Sequence, residues 1–330
     1  MEIKIGRDTS TIAKGLFACF VVIFHMYYTP LFAGESRVPY ILCRIGMFGF
    51  LFLSGYGCNC SYKEKGLSNF WEKKIETIYI PAVFANIIGA VLAFLLGETM
   101  DRETLFENVV RFSPDSIFNM FLWYLHYLFF WYLCFWIVNR FVHSNWKFII
   151  WFIIMLVMWF IGPEMYVWSQ ANNYCFAFVT GIFYQEMTEF TSVREWFSGV
   201  KILKFVIGLL ALGGISLAIQ MDPLNVTIMG NTISFWIHTA LYNAICFCGM
   251  MFIFTICREI EKMEMKSIFL WIGKISFMIY VLHNPLMYFP LEKFGEQNRF
   301  FVAGIGFCLC LFIGTIYVYK IQPWLLRKSR

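Results

Sequence analysis

The sequence predicts an all-α, polytopic membrane protein with about ten transmembrane helices and both termini in the cytoplasm. Three observations predict it. Of 330 residues, 60% are hydrophobic and 21% aromatic, while only 14% are charged; soluble domains carry charge on roughly a quarter of theirs. Ten stretches are apolar over about the length a helix needs to cross hydrocarbon. Lys and Arg collect in alternate loops, the pattern that orients a chain with its basic loops in the cytoplasm.

The spans follow in order. The first, residues 15–34, follows Lys4 and Arg7. The second, 45–62, begins just after Arg44 and ends before Lys63, Lys65, Lys73 and Lys74. The third, 77–97, opens at Pro81 and leads to the acidic loop 98–115. The fourth, 116–139, is aromatic throughout and descends to Arg140 and Lys147. The fifth, 148–163, is the shortest and meets the sixth, 165–185, at a turn around Gly162-Pro163-Glu164. Arg194, Lys201 and Lys204 precede the seventh, 205–221. The eighth, 232–257, belongs to a longer charge-free stretch and ends at Arg258, Lys262 and Lys266. The ninth, 275–291, contains Asn284-Pro285, and the missing proline N–H is expected to terminate its helix there. The tenth, 300–319, ends before Lys320 and Arg327.

Composition narrows the function classes. The net charge of +5 is spread over many short loops, so no nucleic-acid surface is expected. The eleven cysteines form no CxxC pair and fall mostly in apolar runs, where cysteine behaves as a small hydrophobe. No disulfide framework is expected, and no metal, because the histidines lack carboxylates at ligand spacing. The first apolar run lacks a small-residue cleavage site and reads as a retained helix. Without a linker or a second soluble composition, residues 1–330 read as a single integral-membrane domain in the lipid bilayer of the cell (inner or plasma) membrane.

Ionisable groups inside a membrane are costly and are functional candidates by default. Lys14 and His25 stand eleven positions apart in the first span. On a helix that spacing returns to nearly the same face, roughly 16 Å further along. His283 is expected at similar depth, His126 near the middle of the fourth span, and His238 early in the eighth. The bland readings stand beside these: a snorkelling lysine, histidines bonded within the bundle, and His283 capping a broken helix end. Ser276 and Tyr280 share one helix face and either polarise a carbonyl or bond neighbouring helices. Ser54-Gly55-Tyr56-Gly57 permits close backbone approach, for helix packing or for a ligand. Trp123 and Tyr124 line a sugar or acyl site, or pack. Arg44 carries charge at the outer mouth, or anchors at the interface.

Four segments in order resemble the acyltransferase-3 family of multi-pass bacterial membrane proteins. They are Lys14-x10-His25, where the family has arginine in place of lysine; Phe48 to Gly57, ending in Ser-Gly-Tyr-Gly and followed by a basic loop and Tyr79-Ile80-Pro81; Phe121-Leu-Trp123-Tyr124-Leu125; and Ile272-Gly273-Lys274-Ile-Ser276 through Tyr280 to His283. The resemblance covers about residues 11–288. It implies an O-acyltransferase that moves acetyl from acetyl-CoA, a substrate rather than a tightly bound cofactor, to a hydroxyl of a cell-surface polysaccharide or its lipid-linked glycan precursor. His25 and His283 are then the candidate catalytic residues, since acyl transfer to oxygen needs a base and histidine titrates near operating pH. Lys14, Lys63, Lys73 and Lys74 are candidates for the donor's phosphates, although lysine lacks the fork of arginine. Arg44, Ser54, Trp123, Tyr124, His126, Ser276 and Tyr280 are candidates for the substrate site. The alternative is a transporter of a small molecule or of acyl groups, which intramembrane His and Lys also suit. No internal repeat of the kind transporters use is evident.

Overall fold

The computed structural model describes residues 5–27, 38–113, 115–142, 146–161, 171–188, 208, 213, 227–228, 231–294 and 298–328. The expected seventh span and the turn between the fifth and sixth lie outside the described residues. The described chain is helical apart from loops and one two-residue antiparallel pairing, Thr227–Ile228 with Asn231–Thr232.

The helices are α1 (Arg7–Tyr27), α2 (Val38–Lys65), α3 (Phe70–Leu95), α4 (Arg102–Val109) and α5 (Trp123–Phe141, entered through a 3-10 turn at Met120–Leu122). They continue with α6 (Trp146–Ile161), α7 (Ala177–Met187), α8 (Ile233–Ile260), α9 (Lys266–Lys274) and α10 (Ser276–Phe294). The last, α11, runs as Arg299–Ile316, Tyr317–Ile321 and Gln322–Lys328. Six of these are long and apolar enough to cross a membrane, or seven if the bent pair α9 and α10 is one span.

Prolines shape three of them. A π turn occurs at Ile75–Tyr79, Asn284–Tyr288 and Tyr317–Ile321. In each case a proline stands two positions beyond it: Pro81, Pro290 and Pro323. A proline offers no N–H to the carbonyl four residues back and crowds it. A π turn hands carbonyls to the fifth residue on, as in Ile80 N–H to Ile75 O, Phe289 N–H to Asn284 O and Gln322 N–H to Tyr317 O. The helix therefore passes its proline intact. Pro285 lies inside the second of these turns and the helix continues to Phe294, which corrects the expectation that Asn284-Pro285 terminates the ninth helix. The chain continues there through a widened turn and bends instead by 55° at Ile275.

Two other expectations change. Residues 116–119 are not helical, so His126 sits in the first turn of α5 instead of mid-span. The first helix starts at Arg7, which puts Lys14 about two turns inside it.

The chain forms two compact units. The first comprises residues 1–13, 44–68 and 127–266. Its α2 and α7 cross backbone to backbone: a Cβ on Gly55 would lie 2.0 Å from Phe178 O, and one on Gly181 2.1 Å from Phe52 O. Small residues at such crossings let membrane helices gain dispersion contacts that a hydrophobic effect cannot supply in lipid. Around the crossing pack Trp131, Phe135, Trp151 and Phe178, with Trp131 stacked on Phe178 at 5.5 Å. At one end of the same interface Asn59 donates to Gln185 at 2.6 Å and to Glu186 at 2.7 Å, and Lys63 pairs with Glu186.

The second unit comprises residues 14–43, 69–126 and 267–330. Gly15 of α1 meets the Gly273 backbone of α9, Gly306 of α11 meets Leu286 O of α10, and Gly89 of α3 lies under Phe118 and Pro285. The short helix α4 is started by Asp101, which accepts from Thr104 N–H at 2.7 Å. That bond holds the Asp101 carboxyl below its ordinary range.

Candidate active site

Two histidines separated by 258 residues meet in the second unit: His25 Nδ1 lies 2.7 Å from His283 Nε2. Their rings are parallel within 2° with centroids 4.9 Å apart. A nitrogen separation of 2.7 Å is too short for rings stacked face to face, so the pair lies edge to edge, with the hydrogen bond in the ring plane. His25 comes from α1, where it is half-buried, and His283 from α10, where it is fully buried.

The proton positions follow from the partners. His283 Nδ1 is bonded to Tyr280 O, and a carbonyl only accepts, so Nδ1 carries a hydrogen. In a neutral ring His283 Nε2 is then the acceptor, which makes His25 Nδ1 the donor to it. The remaining nitrogen, His25 Nε2, is left with its lone pair. Such a chain delivers one basic nitrogen from a fixed direction.

Phe121, in the 3-10 turn before α5, lies on His25 with ring centroids 3.7 Å apart and planes within 2°. It holds the imidazole plane and presents its π face to any charge that develops there. Its carbonyl accepts from Tyr280 OH at 2.7 Å. Tyr280 thus serves twice, with its hydroxyl on the Phe121 turn and its carbonyl on His283. Tyr124 packs edge-on against Tyr280 at 5.6 Å.

A run of asparagines backs this arrangement. Asn119 Nδ2 donates to Asn86 Oδ1 at 2.7 Å and to Val281 O at 3.1 Å. Asn86 donates to Asn108 O at 2.8 Å, and Asn108 Oδ1 accepts from Ile117 N–H. All three side chains are buried. Buried amides in a membrane protein must find partners inside it, and here each side-chain N–H donor reaches an internal oxygen, while Asn119 Oδ1 has no hydrogen-bond partner among the described residues.

Other expected residues are placed as follows. Lys14 is exposed, and Lys74 lies within electrostatic range of it. Lys73 is exposed, while Lys63 is paired with Glu186 in the first unit. Arg44, also in the first unit, is buried against the faces of Tyr174 and Tyr242 at 5.3 and 5.7 Å. Ser54 donates to Phe50 O of its own helix, and Ser276 is buried. Trp123 packs edge-on with Tyr124, and His126 Nε2 bonds Arg111 O. Sequence reasoning missed Phe121 and Asn119. Phe121 stands inside the aromatic segment that was singled out, and Asn119 is a polar residue where a span was expected. No group of His, Cys, Asp and Glu among the described residues suits a metal. A cleft of about 660 Å³ between α3 and α4, lined by Ile87, Phe94 and Phe106 among others, contains none of the candidate site residues.

The family model for acyltransferase-3, described as an acyltransferase domain, matches residues 10–319. No curated protein and no solved structure matches the chain. Several apolar helices of spanning length and a match across nearly the whole chain converge on one conclusion: the chain belongs to the acyltransferase-3 family and is a multi-pass membrane acyltransferase.

Proposed function

We propose that this chain is an O-acetyltransferase moving acetyl from acetyl-CoA to a hydroxyl of a cell-surface polysaccharide or its lipid-linked precursor. The observation that supports this reading is the directed hydrogen bond from His25 to His283, which leaves His25 Nε2 as a base. The acceptor hydroxyl gives its proton to Nε2 as its oxygen forms a bond to the acetyl carbon. The carbon–sulfur bond breaks, the thiolate of CoA leaves with the electron pair, and the proton on His25 passes to that sulfur. His283 accepts from His25 Nδ1 throughout and stabilises the imidazolium, and the Phe121 face adds to that stabilisation.

Lys14 and Lys74, two cations of the second unit, are the proposed anchors for the donor phosphates, since more than one cation favours a polyanion. Lys73 precedes Lys74 at the start of α3 and is proposed with them. Trp123, Tyr124, His126 and Ser276, all of the second unit, are proposed for the acceptor side. The basic loops support a location in the cell membrane with about ten spans and both termini cytoplasmic, residues 1–330 acting as a single domain.

The test is acetyl transfer from labelled acetyl-CoA to surface glycan in membranes carrying wild type, His25→Ala or Lys14→Ala at matched levels. Label that appears with wild type and vanishes with His25→Ala is the expected result. No label above background with a suitable glycan present overturns the reading and turns attention to substrate uptake.

A further inference from the structure

We propose that Asn119 is a positioning residue for the His25–His283 pair, an inference that rests on the catalytic reading of those histidines. The argument begins with Pro285. Proline has no N–H, so the carbonyl of Val281, four residues earlier, has no regular helical donor. Val281 lies deep in the protein, where an unsatisfied carbonyl is costly. Asn119 supplies the missing donor from outside the helix, at 3.1 Å. Its second N–H is taken by Asn86 Oδ1, so the amide has one orientation and cannot turn away.

The position of that bond matters. Val281 is flanked on the chain by Tyr280 and, two residues on, His283. Two residues beyond Asn119 is Phe121, whose ring covers His25 and whose carbonyl holds Tyr280 OH. The segment 119–121 is thus fastened to α10 at Val281 and at Tyr280. Those two bonds carry one histidine on α10 and the ring that locates the other. A shift of the segment moves Phe121 off His25 and takes the Tyr280 anchor of His283 with it. The cost of such a shift falls on the alignment of Nδ1 with Nε2, because an in-plane hydrogen bond weakens steeply with angle.

A role limited to satisfying one carbonyl predicts something different. Removing Asn119 would then lower stability and leave the histidine pair as it was. Two readouts separate these outcomes. The first needs no turnover: full-length protein with 15N-labelled histidine, in lipid, examined by solid-state NMR. Wild type is expected to show one hydrogen-bonded Nδ1–H···Nε2 pair between His25 and His283, and Asn119→Leu to lose it. Asn119→Asp keeps the shape but turns an oxygen towards Val281 O, and is expected to lose it too.

The second readout is kinetic. Asn119→Leu is expected to lower kcat by about a hundredfold with the KM for acetyl-CoA unchanged, the size of effect a displacement of about 1 Å produces. Combined with His283→Ala it is expected to add little beyond His283→Ala alone, because both act on one pair. Retention of the histidine resonance in Asn119→Leu, or additive losses in the double variant, overturns the proposal. If wild type transfers no acetyl, the acyl-transfer reading fails, and the resonances still decide whether Asn119 holds the pair.

Discussion

His25 Nδ1 donates to His283 Nε2 across 2.7 Å, in a common ring plane. The direction of that bond assigns unequal roles. His25→Ala removes the proposed base and is expected to lower transfer by about a hundredfold to ten-thousandfold. His283→Ala leaves the proposed base but removes the acceptor behind it, so a smaller loss of about tenfold to a hundredfold is expected. Turnover of labelled acetyl at saturating donor measures both. Equal losses, or a larger loss at His283, would assign the base to the wrong ring.

Phe121 contributes a face, not a reacting group. Phe121→Leu keeps much of the volume and removes the π system. A fall in kcat of roughly threefold to tenfold is expected, matching the worth of an aromatic contact. Phe121→Tyr keeps the face and should stay near wild type. Indistinguishable rates for the leucine and tyrosine variants would show that volume alone is needed there.

Lys14 is the proposed anchor for the donor phosphates from the first helix. Lys14→Ala is therefore expected to raise the KM for acetyl-CoA by about tenfold, with kcat changed much less. Lys14→Arg keeps the charge and is expected to bind donor at least as well. Initial rates over a range of acetyl-CoA concentrations give both constants.

The crossing of α2 and α7 leaves no room for a methyl group. A Cβ on Gly181 would lie 2.1 Å from Phe52 O, so the backbones must part. Gly181→Ala is expected to cost about 1–3 kcal/mol. Thermal unfolding in detergent should show a lower midpoint than for Gly57→Ala, where the added Cβ meets nothing within 4 Å.

Asp101 caps α4 through Thr104 N–H, and that bond lowers its carboxyl titration point. A carboxyl depressed in the folded state adds stability that is present above its unfolded pKa, near about 3.9, and is lost as pH falls through its folded value. The start of α4 should therefore loosen only in acid below the ordinary carboxylate range. Hydrogen exchange at the Thr104 amide should quicken there in wild type. In Asp101→Ala it should already be fast, relative to the intrinsic rate, at neutral pH.

The sequence by itself determined the membrane class and the family, and it marked the two histidines that the fold brings together. Hydropathy and loop charge are local and additive, so they are readable without a fold. His25 and His283 stand out because an imidazole in hydrocarbon is costly wherever it occurs. What it could not determine was how the chain treats its prolines. Pro285 reads as a stop, whereas the helix runs on through a π turn and an amide from a distant segment supplies the donor that Val281 O lacks. Nor could it show that Ser54 and Lys63 are committed to protein partners while Asn119 and Phe121 stand beside the histidines. Hydrogen bonds and ring contacts between residues more than a hundred positions apart leave no periodic trace in a sequence. Only the tertiary structure decided which histidine nitrogen keeps its proton, because that depends on the carbonyl of Tyr280 lying next to His283.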